Sequence, residues 1–240
     1  MDWVLLRGLT REQRHWSPAF LSALGQSGQL HLLDLPGVGT ERGRPSPRVL
    51  SAITDDLRAR RPSGDGRLGL LTISLGGMIG MDWVSRYPGD FERVVLINTS
   101  ASDLARPWQR MQLQVVPTLA KGLLSDRLQR ELAILRATTS DHHHDRALAE
   151  TWARYAEERP LHSGAALAQL LAALTFRSPA RLPVPSLVLI GEGDRLCAPV
   201  CGEQIASRFG SQAARHPTAG HDLPLDQPEW SAEQVVKFAS

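Results

Sequence analysis

The chain of 240 residues carries 27 Lys and Arg against 25 Asp and Glu, a net charge of +2 that is too small to argue for a polyanionic partner. No basic run tracks a phosphate backbone and no apolar stretch approaches a membrane span, so neither nucleic acid nor membrane is an expected partner. The length suits one large α/β domain, alone or with a lid, and leaves room for a substantial apolar core.

Residues 1–6 lack a basic region followed by a long apolar stretch, so no signal peptide is read and the expected location is cytoplasmic. Residues 3–6 read as a short strand ended by Arg7-Gly8, and residues 9–14 as a loop. A helix starts at Ser17-Pro18, where the hydroxyl can cap and proline suits the first helical position. After a turn at 25–28, residues 30–34 form a second strand, followed by the breaker-rich Leu35-Pro36-Gly37-Val38-Gly39. A helix is expected over 47–60 and a Pro-, Ser- and Gly-containing linker over 61–66. Residues 68–73 are a third strand, with the near-continuous apolar character of a parallel sheet buried on both faces. A helix then runs to about Tyr87, and residues 94–98 give the fourth strand.

Strand, helix, strand, helix, strand with crossover-length connections predicts an α/β fold with a doubly wound, mainly parallel sheet of about six strands. Between 100 and 179 the alternation stops. Leucines and alanines recur at three- and four-residue intervals over 108–116, 124–136, 145–158 and 163–174, which predicts an all-helical insertion at 101–179 acting as a lid. The core is then residues 1–100 and 180–240. Strand character returns at 186–191, then come a helix at 201–209, a short strand at 212–216 and a closing helix from Ser231.

The chemistry-bearing stretch is Leu70-Leu71-Thr72-Ile73-Ser74-Leu75-Gly76-Gly77, a strand that turns sharply into a helix. Its spacing matches the nucleophile elbow G-x-S-x-G except that Thr72 replaces the first glycine. A serine hydroxyl needs a general base, and the base needs a carboxylate to fix its tautomer. Gly191-Glu192-Gly193-Asp194 follows one strand and Gly220-His221 the next, so Asp194 and His221 are expected at the same sheet edge as Ser74. Asp103, shortly after the fourth strand, is the rival acid.

With the Asp34-Leu35-Pro36-Gly37-Val38-Gly39 turn, which is similar to D-x-P-G-x-G, these motifs make the chain resemble the α/β-hydrolase family, specifically a serine carboxylesterase-like member with a helical lid. The resemblance covers nearly everything outside the insertion. It implies the order Ser, Asp, His and an oxyanion hole formed by the backbone N–H of Leu75 and of Leu9, where the family usually reads His-Gly-x and this chain has Arg7-Gly8-Leu9. It also implies that a strand pair which the family commonly places before the first strand here is absent. The uncovered sheet edge leaves the chain as a monomer or a homodimer. Thr72 is expected to alter packing rather than abolish activity.

Other residues are weighed against plainer roles. Arg7 either anchors an acidic group or forms a salt bridge within the fold, the latter being preferred. His15 and Trp16, close in sequence to the oxyanion loop, are candidate walls of the acyl pocket, and Trp108, Met111 and Trp152 are candidate pocket residues under the lid, with packing of an insertion helix on the core as their alternative. The His142-His143-His144 run suggests a metal, but adjacent histidines diverge and no remote partner set has ligand spacing, so a solvated helix start is expected, with no metal and no cofactor. Cys197 and Cys201 are expected as free thiols.

The expected activity is hydrolysis of a small-molecule acyl ester through an acyl-enzyme. Thioester or acyl-carrier substrates are the alternative, because Arg7, Arg106, Arg110 and Arg136 offer charges for acidic partners. A catalytically silent binding protein on the same scaffold is the reading from a different class, and carbon–carbon hydrolase or perhydrolase chemistry would use the same triad. Dehalogenase chemistry would want an aspartate at position 74.

Overall fold

The computed structural model describes residues 1–62 and 68–240, so most of the linker read at 61–66 lies outside the described residues. Six parallel strands form one sheet: β1 (Asp2–Leu6), β2 (Leu30–Leu33), β3 (Leu68–Ile73), β4 (Arg93–Ile97), β5 (Ser186–Gly191) and β6 (Gln212–His216), in the order β2-β1-β3-β4-β5-β6. The strand reading therefore holds to within a residue at each end.

Alternation along the strands makes two cores, one on each face. Val4, Leu6, Leu70, Val94 and Leu96 face α2 (Leu50–Ala59), α3 (Leu75–Arg86) and α9 (Val200–Phe209), with Ile53, Ile79 and Ile205 packed against them. Trp3, Leu5, Leu71, Val95 and Ile97 face α1 (Pro18–Gly25) and α11 (Pro228–Ala239), which supply Phe20, Leu24, Val235 and Phe238. The Ser17 hydroxyl caps α1 as expected, accepting from Phe20 N–H at 3.4 Å.

From β1 the chain moves to one side for β2 and to the other for β3, so the loops leaving the carboxyl ends of β1 and β3 diverge. A doubly wound sheet opens its ligand crevice at such a switch point. Gly8-Leu9 follows β1 and Ser74 follows β3.

The helical insertion separates β4 from β5 and comprises α4 (Pro107–Arg110), α5 (Val116–Leu123), α6 (Arg127–Thr138), α7 (Arg146–Glu158) and α8 (Ala165–Thr175). Leu132, Leu135, Ala149 and Trp152 form its own small core, which reaches the main body through Leu225 of α10 (Leu223–Asp226). Asp126 and Asp145 cap α6 and α7.

The helix expected over 108–116 is corrected. Met111 is extended, and the next residue, Gln112, sends its N–H to Leu196 O (2.8 Å), a bond that a continuous helix would forbid, and its side-chain amide to Asp194 O (2.7 Å). A new helix, α5, follows where none was expected. In the His142–His144 run, His142 Nδ1 lies 3.3 Å from Asp145 Oδ2 and His143 Nδ1 donates to Ser140 O. Cys197 and Cys201 are free and buried. Among the described residues, no helix is long and apolar enough to cross a membrane.

Candidate active site

Ser74 occupies the turn between β3 and α3 with φ 58° and ψ −120°, a conformation L residues avoid and a tight strand-to-helix turn demands. The turn is held on all sides. Ser74 N–H donates to Ile97 O (2.9 Å), Ser74 O accepts from Gly77 N–H (2.8 Å), and Thr99 Oγ1 donates to the same carbonyl (2.7 Å). Gly76 is required, since a Cβ there would lie 2.7 Å from Leu6 O and 2.8 Å from Arg7 O. Thr72, at the position of the missing glycine, is fully buried; its hydroxyl donates to Val95 O (2.8 Å) and its methyl packs beside Gly80.

His221 and Asp194 are brought together by their loops although 27 residues separate them, with His221 Nδ1 donating to Asp194 Oδ2 at 2.7 Å in a buried pair. The other carboxylate oxygen, Asp194 Oδ1, accepts from Leu196 N–H and Cys197 N–H, both at 2.8 Å, so the acid cannot swing away. Burial disfavours the imidazolium, but the Asp194 carboxylate outweighs it and the His221 pKa is raised. Ser74 Oγ makes no hydrogen bond to His221 among the described residues; such contacts tighten in the substrate complex. Asp103 is removed from the problem, because both its oxygens are engaged by Ser178.

The loop after β1 closes over the serine. A Cβ on Gly8 would meet Ser74 Cβ at 3.0 Å and Oγ at 3.4 Å, so the backbone leading to Leu9 runs directly past the hydroxyl. Leu75, as the first residue of α3, has an N–H with no intrahelical acceptor. The loop is fixed from behind: Asp34 accepts Gln13 N–H (2.6 Å) and Thr40 N–H (2.8 Å), so the 34–39 turn holds the β1 loop in place.

The remaining pocket residues sort differently. Arg7 is buried and bidentate to Asp222, with Nη1 at 3.0 Å and Nη2 at 2.6 Å from its two oxygens, and rests on Trp16 at 4.8 Å. It is therefore committed within the fold and not free to meet a substrate. Trp16 is buried beneath it, stacked on Phe20. His15 and Trp152 meet edge to face at 5.0 Å. Arg11 donates to His15 Nε2 (3.0 Å), which leaves the ring proton on Nδ1, and burial first, then Arg11, push the His15 pKa well down. Trp108 and Met111 are corrected to the surface: α4 is a single turn with no buried residue. Arg110 is spent on Ala173 O and Leu174 O, while Arg106 and Arg136 are exposed.

A cavity of about 410 Å³ lies between the β1 loop and the insertion, bordered by Thr10, Arg11, His15, Arg130, Glu131 and Tyr155; neither Ser74 nor His221 is among its lining residues.

Three supporting residues escaped the sequence reading. Asn98, at φ 44°, donates to Gly220 O (3.0 Å) and His221 O (2.9 Å) and accepts Gly191 N–H (2.9 Å), tying the β4, β5 and β6 loops together. Asp226 accepts N–H groups from Gly220, Ser140 and Asp141, linking the His221 loop to the insertion. Gln169 of α8, fully buried, accepts Thr10 N–H (2.9 Å) and donates to Pro36 O. Its one visible signal was a lone amide in an otherwise apolar helix.

The sheet order and the strand-end placement of these groups are those of an α/β hydrolase, and the family model described as alpha/beta hydrolase fold matches residues 4–228. The chain belongs to the α/β-hydrolase family. Among curated proteins, it is 28% identical over 251 residues to a pimeloyl-[acyl-carrier protein] methyl ester esterase of Nitrosospira multiformis, covering 99% of this chain and 94% of that one. Among solved structures it is similar to an esterase from Exiguobacterium antarcticum (TM-score 0.77, 17% identity, 100% of this chain and 92% of that one). It is also similar to the esterase RhEst1 from Rhodococcus (TM-score 0.75, 20% identity, 99% and 90%).

Proposed function

We propose that the chain is a serine carboxylesterase that cleaves a small-alcohol ester of a short to medium acyl chain through an acyl-enzyme. The observation that carries this reading is the Asp194–His221 pair at the sheet edge that also holds Ser74 in a strained turn. Ser74 Oγ attacks the ester carbonyl while His221 Nε2 takes its proton. Asp194 holds the proton of Nδ1 and stabilises the imidazolium that forms. The Leu9 and Leu75 N–H groups receive the developing oxyanion, a stabilisation worth about 3–4 kcal/mol per donor in related chemistry. His221 then returns its proton to the leaving alkoxide, and a water repeats the sequence to release the acid.

The insertion is the lid of this enzyme and the determinant of substrate choice. The curated relatives are named for acting on an acyl group borne by a carrier protein. The exposed Arg106 and Arg136 of the insertion favour an acidic carrier as partner for this chain also. Hydrolysis of a panel of methyl esters and thioesters, graded in acyl length and with Ser74→Ala as control, tests the reading. Turnover of short to medium methyl esters that disappears in the variant is expected. Binding of the esters without turnover would replace the enzyme by a silent binding protein.

A further inference from the structure

Arg7 sits where three parts of the site meet. Its carbonyl lies against Gly76 at the start of α3, the next residue touches Ser74, and its guanidinium reaches across to Asp222, beside the candidate base. The pair spans 215 positions of sequence, and both side chains are about 5% exposed. Its two parallel N–H···O bonds fix direction as well as distance, which a single contact would not. Asp222 N–H is in turn bound by Thr138 O at 2.8 Å, so the carboxylate is anchored at its own backbone.

We propose that Arg7 and Asp222 are a positioning pair that clamps the loop offering Leu9 N–H to the loop carrying His221 and balances the charge beside the imidazole. The proposal rests on the esterase reading for its link to turnover. Three charged groups act on His221: Asp194 from the β5 loop, Asp222 next to it in sequence, and Arg7 from the β1 loop, while the nearby Asp226 of α10 is occupied by three backbone N–H groups. Asp194 is the hydrogen-bonded partner of the ring. Asp222 alone would favour the imidazolium and Arg7 alone would oppose it, so the bidentate pair leaves the base under the control of Asp194.

Two readouts separate the pair's contributions: the direction in which His221 titrates when each partner is removed reports the charge balance, and a fall in kcat at unchanged KM in a folded Arg7→Lys, which keeps the charge, reports the positioning. In NMR titrations of the full chain, Arg7→Met is expected to raise the His221 midpoint, Asp222→Asn to lower it, and the double variant to return it toward the starting value. On a methyl ester, both single variants are expected to lower kcat by about 10²-fold, the effect of an ångström-scale misplacement, with KM little changed. Arg7→Lys keeps the charge and loses the fork, so its midpoint stays while kcat falls; it carries the test if Arg7→Met does not fold.

His221 midpoints that stay fixed, or that shift the same way in Arg7→Met and Asp222→Asn, would overturn the proposal, as would wild-type kcat in both. The titration does not depend on turnover. A chain inactive toward all esters therefore removes the esterase reading and leaves the pair to be judged on His221 alone.

Discussion

The loops at the carboxyl edge of the sheet and the helical insertion solve the same problem, holding polar side chains in place, in opposite ways. At the sheet edge nearly every charge is buried and doubly committed: Asp194 to His221 and two amides, Arg7 to Asp222, Asp34 to two amides. In the insertion the charges are paired at the surface, as in Arg146 with Glu150, and leucines such as Leu123 and Leu124 stand exposed. Buried, multiply hydrogen-bonded networks favour one geometry, whereas surface pairs contribute little and permit change. The division implies that chemistry resides in the first region and selectivity in the second.

The sharpest way to break that division is at the nucleophile. Ser74→Ala is expected to lower kcat/KM on a methyl ester by roughly 10⁴-fold or more, with the thermal midpoint unmoved. Trp152→Ala is expected to do the reverse. It removes a buried ring from the core of the insertion, at about 3–5 kcal/mol in denaturant unfolding if the cavity does not collapse. It should also alter acyl-length preference while leaving the chemistry at Ser74 intact.

Between these lies the junction of helix and strand. Gly76→Val drives methyls into the Leu6 and Arg7 carbonyls and is expected to cost about 1–3 kcal/mol together with activity, read from chemical denaturation and initial rates.

The pH dependence sharpens the comparison from within the core. The His221 pKa is raised in the folded chain, and the neutral imidazole is the active form. kcat/KM is therefore expected to be lost as pH falls through a midpoint above the ordinary imidazole value, measured with a neutral ester so that substrate ionisation does not intrude. The smallest effect belongs to the insertion's surface. Arg146→Ala removes an exposed i,i+4 pair with Glu150, and its unfolding free energy is expected to change by no more than about 0.5 kcal/mol.

The same contrast explains what the sequence could disclose. β3 and β5 were legible because a strand buried on both faces must be almost wholly apolar, and Ser74 and Asp194 were legible as candidates because each stands just after such a run; His221 was marked by its Gly-His context after the short, mostly exposed β6. The Asp194–His221 contact follows from strand order and needed no knowledge of side-chain packing. The insertion was legible as helical but not in its breaks. Met111 leaves the helix because Gln112 is bonded to the Asp194 loop, a partner more than 80 positions away. Arg7 could be suspected of a salt bridge, but nothing in the chain near it points to Asp222. Asn98 and Gln169 act through bonds to backbone groups of distant loops, which leave no local pattern.

The most direct test of the account is mass spectrometry of the intact chain and its peptides after treatment with a fluorophosphonate, which phosphonylates only a serine activated in place. A single adduct on the peptide containing Ser74, absent from Ser74→Ala and from protein unfolded beforehand, is the predicted result. An unmodified Ser74 in the folded chain would contradict it.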